Sequence, residues 1–233
     1  MKEAIKDLFE CLPLNQTLHS LKMRKCEFGA NFTESLVQFL LSNSSLSSLD
    51  VGSAEFDVEL LEKFCEALSR NKTLNCLSLS SCKCLGKHSP NKILKEIVKV
   101  VRVNDTLTEL DLHDLEFNSQ ILRDLVESLK QNPTLRVLKM RGNCVNEKDS
   151  LHFFNALDDI PSLTEVEFPS WYYGPYECNS EVEKIKEKME ERKKRKRKTR
   201  TQQLVMLMIQ RRSGTIVNKL PRRLLVHLLS FVE

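Results

Sequence analysis

Apolar residues along this chain switch repeatedly between two periods. Leu18, Leu21 and Met23 alternate with polar neighbours, as in a half-buried strand. Cys26 and Phe28 follow, and Leu36, Phe39 and Leu40 then recur at helical spacing, predicting a helix from about Thr33. The pattern repeats. Leu46, Leu49 and Val51 predict a strand, Ala54 and Phe56 turn inward, and Asp57 is a candidate N-cap for a helix carrying Val58, Leu61, Phe64, Cys65 and Leu68. Leu74, Leu77 and Leu79 lead through Cys82 and Cys84 to a helix expected to start with Ser89 as cap and Pro90 in its first turn. Leu107, Leu110 and Leu112 precede Leu115, Phe117 and a helix with Ile121, Leu122, Leu125 and Leu129 inward. Leu135, Leu138 and Met140 precede Asn143, Val145 and a helix expected to bury Leu151, Phe154 and Leu157. A last strand, Leu163, Val166 and Phe168, stops at Pro169. At the other end Ala4, Ile5, Leu8 and Leu12 predict one closing helix.

The strands share a lead-in, Asn-x-Ser/Thr-Leu. It begins at Asn15, Asn43, Asn71, Asn104 and Asn132, with a degraded copy at Ile160-Pro161-Ser162-Leu163. The aligned leucines are 28, 28, 33, 28 and 28 residues apart. A fixed period of this size means stacked strand-and-helix units, none of which buries its apolar side alone. The five extra residues of the third unit are expected between Leu85 and Ser89, in the connection from strand to helix.

The pattern resembles the leucine-rich repeats of the ribonuclease-inhibitor type, Leu-x-x-Leu-x-Leu-x-x-Asn/Cys-x-hydrophobic, over residues 1 to about 169. Cys26, Cys82 and Asn143 stand at the Asn/Cys position, whereas Ala54 and Leu115 depart from it and are expected to interrupt the buried polar ladder. The resemblance implies an α/β solenoid with parallel strands on the concave face and helices on the convex face.

Strand residues between the buried positions then point to the concave face. They are Ser20, Lys22, Arg24; Ser48, Asp50, Gly52; Cys76, Ser78, Ser80; Glu109, Asp111, His113; Val137, Lys139, Arg141; and Glu165, Glu167. The bands run basic, small and neutral, acidic, basic, acidic. A nucleic-acid surface would be uniformly basic and dotted with aromatics. Alternating bands suit a protein partner of complementary charge. The small central band is expected to admit a protruding element.

Charge changes the picture at the C-terminal end. Residues 1–180 hold 20 Lys and Arg against 26 Asp and Glu, whereas residues 181–233 hold 16 against 6. The run Arg192, Lys193, Lys194, Arg195, Lys196, Arg197, Lys198 fits a nuclear import signal or an anionic surface. Three segments are therefore expected: a capped solenoid over 1–180, a basic helix or linker over 181–201 and a short helical unit over 202–233. Trp171, Tyr172, Tyr173 and Tyr176 are expected to cap the open solenoid end. In the last unit Leu220, Pro221, Leu224, Leu225 and Leu228 resemble the first helix of an F-box, and more weakly a SOCS-type box. That resemblance implies docking to a ubiquitin-ligase scaffold.

Little chemistry is expected. Cys76, Cys82, Cys84 and His88 do not converge as zinc ligands must, because the repeat directs Cys82 and Cys84 into the core and away from Cys76. His113 lies beside Asp111 and Glu109 with no nucleophile or phosphate loop. Eight cysteines in a chain that opens without an apolar leader suit a reduced compartment, cytoplasmic or nuclear. The longest apolar run, Leu204 to Ile209, is far short of the roughly 20 residues of a membrane span. The sequence thus predicts a non-enzymatic, cofactor-free adaptor that grips a protein partner on its concave face. Two alternatives stand beside it: a substrate receptor of a cullin-type ligase, and an actin-binding protein similar in plan to tropomodulin.

Overall fold

The computed structural model describes Leu12 and residues 15–28, 30–85, 91–143 and 145–167, together with 184, 187–192, 194, 195 and 198. The chain separates into two compact units, Met1–Lys186 and Glu187–Glu233. The repeats form the first.

Each coil runs strand, turn, helix. The first contains β1 (Ser20–Lys22), β2 (Glu27–Phe28) and α1 (Ala30–Ser42), and the second β3 (Ser48–Asp50), β4 (Glu55–Asp57) and α2 (Val58–Arg70). The third contains β5 (Cys76–Ser78), β6 (Lys83–Leu85) and α3 (Lys92–Val103). The fourth has β7 (Glu109–Asp111) and α4 (Ser119–Gln131); the fifth has β8 (Val137–Lys139), α5 (Glu147–Ala156) and a 3-10 turn at Leu157–Asp159. The last strand is β9 (Glu165–Glu167).

The strands form one parallel sheet in the order β1-β3-β5-β7-β8-β9. Its register has no slip: Ser20, Ser48, Cys76, Glu109, Val137 and Glu165 lie side by side. This is the leucine-rich-repeat solenoid. Every middle residue of this six-stranded sheet from Leu49 to Val166 is buried, and the helices cover that face with Leu36, Phe64, Ile97 and Leu125. A shorter parallel sheet, β2-β4-β6, lies beyond the turns. It ends where Glu116 takes a left-handed φ of 56°, which no strand accommodates.

The lead-in asparagines join the coils. Asn71 Oδ1 accepts the N–H groups of Thr73 (3.0 Å) and Leu74 (2.7 Å), while its Nδ2 donates to Leu40 O (2.7 Å) in the coil before. Asn43, Asn104 and Asn132 repeat the arrangement, all four buried. A second ladder stands at the Asn/Cys position, where Cys82 Sγ donates to Val51 O (3.2 Å) and Asn143 Nδ2 to Leu112 O (2.8 Å). At Ala54 and Leu115 no side chain contributes to it, as the sequence implies. Asn143 compensates at Leu115 by accepting that residue's N–H at 2.7 Å.

Helix starts differ from expectation in two places. Asp57 caps α2 as predicted, accepting from Glu59 N at 2.9 Å. Helix α1, however, begins at Ala30, ahead of Thr33. Helix α3 begins at Lys92, with Asn91 at the cap position in a left-handed φ of 76° and without a side-chain cap bond. Ser89 is therefore not the cap; Ser89 and Pro90 themselves lie outside the described residues. The connection over 86–91 is long, whereas α2 starts directly after β4, so the insertion falls in the strand-to-helix connection.

The buried face of α5 also departs from the reading above. Leu151 is 45% exposed and Phe154 half-buried, while Asp149, Ser150, Phe153, Ala156 and Leu157 are buried. Positions 149, 150, 153, 156 and 157 keep helical phase; 151, 154 and 157 drift off it. Phe168, the aromatic cluster from Trp171 and the helix expected to close the N-terminal end ahead of Leu12 lie outside the described residues.

Candidate partner-binding surface

The sheet face opposite the helices is set by the pleat. With Leu49, Leu77, Leu110, Leu138 and Val166 inward, their neighbours on each strand must point the other way. The structure accordingly lines up three rows. The first is Ser20, Ser48, Cys76, Glu109, Val137 and Glu165; the second is Lys22, Asp50, Ser78, Asp111, Lys139 and Glu167. Arg24, Gly52, Ser80, His113 and Arg141 follow at the strand ends. All the residues assigned to this face from the sequence are brought together on it.

Their charges are joined from strand to strand. Arg24 Nη1 lies 3.2 Å from Asp50 Oδ2, and Lys139 Nζ lies 2.5 Å from Glu109 Oε1. The hydrogen bond from Lys139 to Glu109 raises the lysine's pKa above its ordinary value against the opposing pull of burial, with the charges of Glu109, Glu167 and Asp111 adding to it. Ser78 Oγ donates to Asp111 Oδ2 (2.9 Å). His113 Nδ1 is 2.8 Å from Asp111 Oδ1, and its Nε2 is 3.3 Å from Glu167 Oε2 but outside hydrogen-bonding geometry. Lys22 and Arg141 form no ion pair among the described residues.

Two contacts here have no signal in the sequence. Arg24 reaches across the neighbouring strand to Ser80 Oγ (3.2 Å), and its guanidinium lies where a Cβ at Gly52 would sit, 2.7 Å away. The small central band is thus partly filled: Ser80 is only 5% exposed. It is not the open notch that residue size suggested. His113 likewise spans two strands to meet Glu167. Both contacts skip a strand: the period aligns Arg24 with Ser80, but side-chain reach across the coil between them is not written in the repeat.

The cysteines divide by environment. Burial pushes the Cys82 thiol up to about 12 and raises that of Cys65 further. Cys76 lies on the sheet face with Sγ 3.9 Å from Glu109 Oε2, and burial raises it too. Cys84 is half-buried, unlike the buried Phe56, Phe117 and Val145 at the same position of other coils. His88 lies outside the described residues.

On the helix side, Val37, Leu41 and Ala67 floor a shallow groove of about 220 Å³ between α1 and α2, rimmed by Glu34, Lys63, Glu66 and Arg70. Of the basic run, Arg192, Lys194, Arg195 and Lys198 are helical, with Arg195 Nη2 3.7 Å from Glu191 Oε2. Lys193, Lys196 and Arg197 lie outside the described residues, as do Leu220, Pro221, Leu224, Leu225 and Leu228.

No protein-family model matches the sequence, and no curated protein matches it. Solved structures do match the fold. A structure titled as leiomodin-1 actin-binding site 2 gives a TM-score of 0.56 at 14% identity, covering 89% of this chain and 96% of that one. The tropomodulin C-terminal domain of Caenorhabditis elegans gives 0.53 at 12% identity, covering 84% and 97%. At such identities the likeness is one of fold.

Proposed function

We propose that this chain is a protein-binding module whose partner lies across the sheet face. The supporting observation is the cross-strand bonding of that face. Arg24, Asp50, Ser78, Glu109, Asp111 and Lys139 are held by one another before any partner arrives. Side chains already fixed lose little rotamer freedom on binding, so contacts to them are not offset by ordering. Binding rather than catalysis suits the face, because its histidine sits between carboxylates and, among the described residues, its ring bonds no serine or cysteine. The expected setting is a reduced, cytoplasmic or nuclear compartment, with the basic run from Arg192 adding attraction to anionic surfaces.

The first partner to test is actin. The leiomodin-1 structure is titled as an actin-binding site, and this chain spans nearly all of it. A pyrene-actin assay with the full chain reads the effect on filament elongation. Charge reversal at Asp111→Lys and Lys139→Glu, with folding checked by circular dichroism, is expected to reduce partner recovery at least tenfold in affinity capture. Equal recovery by the folded variants removes the sheet face as the site. The ligase-adaptor reading rests on residues 220–228 alone, and co-purification of a ligase scaffold protein that disappears on deletion of residues 202–233 is its test.

A further inference from the structure

The lead-in that builds this solenoid is also the acceptor signal for N-linked glycans, Asn-x-Ser/Thr with x other than proline. Asn15-Gln16-Thr17, Asn43-Ser44-Ser45, Asn71-Lys72-Thr73 and Asn104-Asp105-Thr106 all satisfy it; Asn132-Pro133-Thr134 does not. Such a signal ordinarily marks an exposed loop of a secreted protein. Here three of the four acceptors are buried, at 5%, 6% and 2% exposure for Asn43, Asn71 and Asn104.

The atom that takes the sugar is Nδ2, and in each case it is already committed. Asn43 Nδ2 donates to Asn15 O (2.7 Å), Asn71 Nδ2 to Leu40 O (2.7 Å), and Asn104 Nδ2 to Leu68 O (2.8 Å) and Asn71 O (3.3 Å). Each bond joins one coil to the coil before it. In glycan transfer Nδ2 forms a bond to the anomeric carbon of a lipid-pyrophosphate-linked oligosaccharide. The bond from that carbon to the pyrophosphate breaks, the lipid pyrophosphate leaves with the electron pair, and one amide proton passes to a base. The product holds a bulky polar group where the fold has packed backbone at interior density. Asn15 differs. It is exposed, its Oδ1 holds the N–H groups of Thr17 and Leu18, and its Nδ2 makes no hydrogen bond among the described residues.

We infer that Asn43, Asn71 and Asn104 are N-glycan acceptors of the unfolded chain only, that a glycan on any of them prevents the coils from stacking, and that Asn15 is the one acceptor of this row open in the folded chain. Folding and passage through a glycosylating lumen are therefore mutually exclusive for this sequence, and the chain reaches its fold where the transferase and its lipid-linked donor are absent. The exclusion comes from the asparagine amides, independently of which partner the sheet face binds.

The molecule supplies its own control. Pro133 shows that this turn accommodates proline, and proline at the middle position abolishes the acceptor. The test directs the full chain, carrying Asn31→Gln to remove a further acceptor in α1, into the secretory pathway behind a cleavable leader. A second chain adds Ser44→Pro, Lys72→Pro and Asp105→Pro. Both are also made in the cytosol, where both are expected to resist protease equally. In the lumen the first chain is expected to carry glycans at Asn43, Asn71 and Asn104 and to lose its protease resistance. The proline chain is expected to carry only the Asn15 glycan and to keep its resistance. A luminal chain glycosylated at the three buried sites yet as resistant as the cytosolic one overturns the inference. So does one that folds there without being modified at them, and so does a proline chain that is glycan-free at those sites and still protease-sensitive only in the lumen.

Discussion

Asn104 shows how much one side chain carries in a stacked fold. It accepts from Thr106 N (3.0 Å) and Leu107 N (2.8 Å) while donating to the coil before. Replacement by alanine leaves several buried backbone groups unpaired. We expect Asn104→Ala to destabilise the chain by about 3 kcal/mol in urea unfolding, and Asn15→Ala, at the exposed end of the row, by less than about 1 kcal/mol. Glu96 gives a second test. Burial alone would raise its carboxyl, but hydrogen bonds from Lys99 and Lys92 overcome that and hold it below the usual carboxylate range. A depressed folded pKa stabilises the fold above the unfolded value of about 4.3, and the contribution is lost as pH falls through the lower folded value. Glu96→Gln should flatten that acid limb of the urea midpoint plotted against pH; an unchanged slope would show that the pair contributes nothing. The repeat motif made the asparagines visible in the sequence, but their bonding to the preceding coil was not visible, because the acceptors are backbone carbonyls about a full repeat away.

Elements are set partly by local chemistry and partly by the stack. Asp57 was readable as a cap because its carboxylate acts within its own turn, on Glu59 N. Asp57→Ala should destabilise α2 by about 1 kcal/mol, seen in urea unfolding and in faster amide exchange of its first turn. Asn118 and Asn146 cap α4 and α5 in the same way, accepting from Ile121 N and Asp149 N at 2.9 Å. Helix α5 was harder to read. Leu151 attracts attention as an apolar residue, yet it is exposed, while the carboxylate of Asp149 is buried. That burial is stabilised by Asn146 Nδ2 at 2.7 Å, the Ser119 hydroxyl and Arg123, partners spread over two helices. A hydrophobicity pattern has no means of registering such a cluster.

At the scale of the molecule, stability is the sum of coils and of the interfaces between them. Leu110 is fully buried between coils, whereas Leu21 on the edge strand is half-buried. Leu110→Ala should cost about 3 kcal/mol and Leu21→Ala far less, with amide exchange slowest in the central strands. Equal losses at the two sites would mean that β1 is covered as completely as β7. The cross-strand charges belong to this scale as well. Arg24 with Ser80, and His113 with Glu167, are pairings that exist only once coils are placed side by side.

The sequence by itself determined the parallel stack, its register and the set of residues sharing the sheet face. Each depends on a period and on alternation about the backbone, and both are properties of a string. Only the tertiary structure decided which charges pair, that Arg24 fills the space over Gly52, and that Asn43, Asn71, Asn104 and Asn132 are closed off while Asn15 stays open. Those outcomes depend on side-chain reach across neighbouring coils, set by distances in space that sequence separation does not encode.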